Sequence, residues 1–139
     1  MNFILFYCST ILGLCQCLYI FQILSHHIYF YSVLLGVITS ILNHGFNHYL
    51  LQYIDRIVMY FLFCYNLYLC CRYWLLHCLF YLLNAVVLYI LAKRTKNSKW
   101  HVLSHICVSI NNIFVSNYFF DRLFETTKVI LNNLATNSC

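Results

Sequence analysis

An all-α bundle of about five membrane-spanning helices is the fold this sequence predicts, and three observations predict it. The 139 residues are 63% hydrophobic and only 8% charged, whereas a soluble domain carries about 25% charged residues. Apolar runs recur at about 20 residues, long enough to cross a bilayer as helices. Proline is absent, and in lipid only helices and closed barrels pair all their own backbone groups. These runs are too continuous for the in–out alternation of a barrel.

The elements follow in order. The first span covers roughly Phe3 to Leu24. Its leading residues, M-N-F-I-L-F-Y, include no basic residue, so a retained span is expected rather than a cleaved signal peptide. Ser25-His26-His27 separates it from a second span, Ile28 to Asn43, and a polar patch from His44 to His48 leads to a third, Tyr49 to Cys70. Arg72 marks a turn into a fourth span that ends near Ala92. Lys93-Arg94-Thr95-Lys96-Asn97-Ser98-Lys99 is the one clear polar loop, and a fifth, more polar span runs from about Trp100 to Phe120. Residues 1–120 thus form one bundle, and 121–139 a tail expected as a short amphipathic helix at the interface. Trp74 and Trp100 fit the aromatic belt of a membrane protein.

The formal charge of +5 is concentrated at membrane-flanking positions. It reads as a topology signal rather than a nucleic-acid patch. Four basic residues make the loop between spans four and five cytoplasmic, and with five spans the N-terminus joins it while the tail lies opposite. Most of the nine cysteines lie inside apolar runs, where cysteine acts as a small hydrophobe. No regular C-x-x-C pair supports a thiolate metal site. Cys70-Cys71 beside Arg72 reads as packing, with lipidation as the alternative.

Against this apolar background the ionisable groups carry the functional signal, because charge inside a membrane span is costly. His101 and His105 stand four apart in W-H-V-L-S-H, on one face of a helix. His44 ends S-I-L-N-H, one turn after Ser40, and Asp55 is the first charged side chain in the chain. The charge-derived topology puts His44, Asp55, His101 and His105 at the same face of the membrane, an independent check on the grouping. Three imidazoles with an open fourth position suit catalytic zinc. Asp55 could then orient or deprotonate a water, and Ser40 could hydrogen-bond a developing oxyanion. The competing readings are interfacial histidines, an Asp55–Arg56 ion pair and a helix-packing serine. His48 reads as a loop residue, His26, His27 and His77 as interfacial on the opposite face, and Asn111 and Asn112 as helix-to-helix hydrogen-bond formers or cavity lining.

Ser-x3-His, an aspartate in the next span and His-x3-His in a late span resemble the superfamily of alkaline ceramidases, adiponectin receptors and Per1-like proteins. The similarity covers roughly residues 32–59 and 100–112. The resemblance implies that His44, His101 and His105 ligate Zn2+ while Ser40 and Asp55 assist a water. It implies hydrolysis of a lipid amide, with ceramide or another sphingolipid as the partner, in an endomembrane such as the ER or Golgi. That family has seven spans, and this chain, a shortened and divergent version, has room for about five. The alternative is a non-enzymatic multi-span protein: an assembly factor, a pore former or an inactive reduced member.

Overall fold

The molecule is turned inside out relative to a soluble protein. In the computed structural model, which describes residues 3–24, 27–46 and 48–137, α1 (Phe3–Leu24) presents Phe3, Tyr7, Ile11, Leu14, Leu18 and Phe21 outward. The steps of three and four residues are those of one helix face. Its opposite stripe buries Ser9, Gly13, Gln16 and Ile20. Buried polar residues recur throughout the bundle, among them Thr39, Asp55, Asn66, Ser104 and Asn111. An exposed apolar exterior of this extent is stable only in a non-aqueous surround.

Four further helices follow: α2 (Ile28–Gly45), α3 (Tyr49–Arg72), α4 (Leu76–Thr95) and α5 (Ser98–Asn137). No strand occurs among the described residues. Helices α1 to α4 are each long and apolar enough to cross a membrane, which marks the chain as a membrane protein. Each helix packs on its neighbours in chain order, and α5 returns to α1, closing a ring. The α3–α4 pairing is the sparsest of the five.

Local chemistry sets the joints. His27 caps α2 through Nδ1, which accepts from the Tyr29 amide at 3.2 Å, and His48 does the same for α3 with the Leu50 amide at 3.3 Å. These histidines supply acceptors to amides that have no partner in the first turn. At the end of α3, Trp74 takes a left-handed conformation (φ 56°) and the Leu75 amide reaches back to the Cys70 carbonyl at 2.9 Å, a Schellman-type close. Lys96 ends α4 in the same region (φ 53°), and Asn97 Oδ1 accepts from the Lys99 amide at 3.0 Å to start α5.

Three boundaries differ from the sequence expectation. The Lys93–Lys99 loop shrinks to a joint at Lys96 and Asn97, because α4 runs on to Thr95 and α5 starts at Ser98. α2 continues through His44 to Gly45, so His44 is held on a helix rather than in a polar patch. The segment after Phe120 is helical but is no separate element: α5 runs unbroken to Asn137. With neither proline nor glycine between 98 and 137, nothing in the backbone ends the helix. Its described side chains from Phe120 to Leu134 are all exposed. His26 and Cys139 lie outside the described residues.

The two ends of the ring differ. Towards the C-terminus of α1, Cys17, Ile20, Tyr29, Val33, Leu69, Cys78 and Val115 pack as a closed apolar core. Towards the other end, the helices enclose a cavity of about 950 Å³ lined from all five.

Candidate metal centre

At one end, termed the mouth, the cavity is lined by the last turn of α2, the first turns of α3, the end of α4 and the start of α5, where Arg56, Lys93 and Lys96 are exposed. His101 and His105 lie one turn apart on α5, and their rings stack with centroids 4.9 Å apart at an interplanar angle of 8°. His44 on α2 meets both rings edge-on, at 5.2 Å and 5.5 Å. One nitrogen from each ring lies within 4.8 Å of the others. That spacing would let the three imidazoles hold one ion together, leaving a fourth position for water. All three residues are half-buried.

Of the three buried polar atoms without a partner among the described residues, two lie here and the third, Asn111 Oδ1, lies among the carboxamides farther along the cavity. His105 Nε2 is buried with no hydrogen-bond partner, and so is Asp55 Oδ1. A buried polar atom without a partner costs about 1–3 kcal/mol, and such atoms are few in native proteins. A divalent cation at the imidazoles satisfies the first. The donor set fits a metal: three imidazoles from two helices, each offering one nitrogen to a common point.

Asp55 is buried on α3 and lines the same cavity. Its Oδ2 accepts from Asn43 Nδ2 at 2.7 Å, which leaves Oδ1 free. Arg56, the alternative partner expected from the sequence, adds an electrostatic attraction to that hydrogen bond. Ser40 lies buried on the cavity wall, one helical turn below His44. All five residues singled out in the sequence therefore line one cavity, and the three imidazoles converge. His48 and His27 are helix caps, while His77 packs its ring on Phe114 at 5.1 Å.

Sequence reasoning missed Asn43, the residue that orients Asp55. The only signal was its place beside His44 in S-I-L-N-H. It also did not place Gln16 and Asn66, which with Asn111 and Asn112 build the deep end of the cavity. Tyr29 donates from its hydroxyl towards Asn66 Oδ1 (3.0 Å) and Asn112 Oδ1 (3.1 Å), Asn111 Nδ2 donates to Asn66 Oδ1 (3.0 Å), and Asn112 Nδ2 donates to Gln16 Oε1 (3.1 Å). This network ties α1, α2, α3 and α5 together. Asn111 and Asn112 thus do both things expected of them, bonding between helices and lining the cavity.

Cysteine plays no part in the centre. The eight described cysteines are free thiols, and Cys17, Cys70 and Cys78 belong to the apolar core. Comparison with protein-family models, with curated proteins and with solved structures finds no match to this chain.

Proposed function

We propose that the cavity is the active site of a zinc-dependent intramembrane hydrolase that cleaves a lipid amide. The observation that carries this reading is the convergence of His44, His101 and His105 within 4.8 Å at the mouth of a cavity that also holds a half-satisfied carboxylate, Asp55. The sequence resemblance to alkaline ceramidases supports the same chemistry.

Zinc held by three neutral imidazoles lowers the pKa of a water towards about 7 and polarises a carbonyl. The chain's own residues do the rest. Asp55 Oδ1 has no partner, so it can accept a proton from the attacking water, and Asn43 fixes its orientation. The water oxygen adds to the amide carbon, and the Ser40 hydroxyl donates to the carbonyl oxygen as it gains charge. The C–N bond then breaks, and Asp55 returns its proton to the leaving nitrogen. A fatty acid and an amine result. The apolar wall from Leu5, Val37, Leu62 and Val86 holds the acyl chain, so that lipid rather than water fills the space beside the reacting bond.

The test is purified protein in detergent, with bound metal measured by mass spectrometry and turnover measured on ceramides, other lipid amides and esters. About one zinc per chain and turnover of an amide support the reading. Zinc without turnover leaves a structural or degenerate site. Neither result in wild type returns the chain to the non-enzymatic alternative.

A further inference from the structure

The mouth of the cavity carries an unbalanced charge. Arg56, Lys93 and Lys96 line it, and Asp55 is the only carboxylate that does. Three cations against one carboxylate leave a formal excess of two positive charges. That carboxylate already has an amide partner in Asn43. The start of α5 lies at the same place, with Asn97 and Ser98 on the cavity wall and no acidic residue in the helix's first turn. The amino end of a helix adds positive potential there. Lys93 is also tied to the histidines: its Nζ lies 5.0 Å from the centre of the Tyr89 ring, and that ring lies 5.4 Å from the ring of His101.

Beyond the histidines the wall is mainly apolar, interrupted by Ser9, Ser104 and Ser109, and the far end carries the carboxamides of Gln16, Asn66, Asn111 and Asn112. From His101 to Asn112 at about 1.5 Å per residue, the shaft is about 16 Å long. We propose that this cavity receives a single-chain amphiphile with an anionic head, its phosphate or carboxylate against Arg56, Lys93 and Lys96 and its chain along the shaft. A neutral head leaves the excess of two positive charges on these exposed side chains unmatched, and a cationic head is repelled. Phosphate and carboxylate instead gain charge-assisted hydrogen bonds.

The competing explanation is that these lysines only orient the chain in the membrane. It treats Lys93, Arg94, Lys96 and Lys99 alike. The cavity does not: Lys93 and Lys96 line it together with Arg56, which lies outside that loop, while Arg94 and Lys99 do not. The inference deepens the proposed function, because it narrows the substrate to lipid amides with a phosphate or carboxylate head. It rests on the charge of the mouth and not on the metal, so the two readings can fail separately.

The experiment uses the full chain, stripped of metal, in a neutral detergent. Binding of dodecyl phosphate, laurate, 1-monolauroylglycerol and inorganic phosphate is followed by tryptophan fluorescence. The two anionic amphiphiles should bind about tenfold or more tighter than the neutral glyceride, the scale of one charge-assisted contact. K93Q/K96Q should lose most of that preference, and R94Q/K99Q, which removes the same charge from the same loop, should keep it. Arg56→Gln provides a second reading should the first double variant fail to fold. Equal binding of the glyceride and the anions, or equal losses in the two double variants, overturns the proposal. So does inorganic phosphate binding as tightly as dodecyl phosphate, which identifies a free anion rather than a lipid. Metal-loaded enzyme that cleaves neutral ceramide but no anionic amide also overturns it while leaving the hydrolase intact. Tight anion binding without any hydrolysis does the reverse.

Discussion

His44 is the residue on which the candidate metal centre turns, because in that group it alone comes from α2 to meet the pair on α5. Without it two imidazoles remain, too few for the three protein ligands usual in a catalytic zinc site. His44→Ala is expected to lose both zinc and turnover, the first read by mass spectrometry. Asp55→Asn should keep the metal and lower the rate by about a hundredfold or more, the usual scale of a lost general base. Ser40→Ala should be milder, about tenfold to a thousandfold, since it removes one oxyanion donor. An Asp55→Asn enzyme at wild-type rate removes Asp55 from the chemistry. Asn43 gives a related check. It holds Asp55 Oδ2, so Asn43→Ala should lower the rate while leaving zinc content unchanged.

At the scale of elements, close helix approach depends on glycine. A Cβ added to Gly13 on α1 would lie 2.5 Å from Val37 Cγ1 on α2, and one added to Gly36 would run into the Leu62 side chain of α3. Gly13→Ala should therefore destabilise the bundle by about 1–3 kcal/mol, the usual cost of overpacking, read as a lower unfolding midpoint in detergent. An unchanged midpoint means that Val37 turns away at no cost. The far half of α5 should behave in the opposite way. Its described side chains from Phe120 to Leu134 are exposed, so a chain ending at Phe120 should keep the zinc content and unfolding midpoint of the full chain. A collapse of either would show that the extension supports the bundle.

For the whole molecule, the deep carboxamide network joins four of the five helices. Asn66 accepts from Tyr29 and Asn111 and donates to the Leu62 carbonyl at 3.0 Å. Asn66→Ala strands the buried donors of its partners, so a loss of about 1–3 kcal/mol is expected, more than for Asn84→Ala. Asn84 is half-buried, and its side chain bonds the Phe80 carbonyl of its own helix. Orientation can be tested as well. A five-span arrangement puts the Lys93–Lys99 loop and the C-terminus on opposite sides of the membrane. Labelling of Cys139 and of a Ser98→Cys variant from opposite sides supports it, and labelling of both from one side excludes it.

Composition and spacing decided the helical membrane character by themselves, because the cost of unpaired backbone in lipid leaves few alternatives. They also singled out Ser40, His44, Asp55, His101 and His105, which line one cavity, since polar groups stand out where nearly everything else is apolar. A fixed turn of 3.6 residues made His101 and His105 neighbours before any fold was known. Other features arise only when helices distant in the chain meet. Asn43 became the partner of Asp55 through the packing of α2 on α3. Asn66 met Tyr29 and Asn111, and Tyr29 also reached Asn112, across three helices. Arg56, Lys93 and Lys96 were separated from Arg94 and Lys99 by the side of the cavity wall on which each falls. Periodicity states which residues share a face of one helix. Which face another helix turns towards it depends on packing between side chains far apart in sequence, and only the tertiary structure decides that.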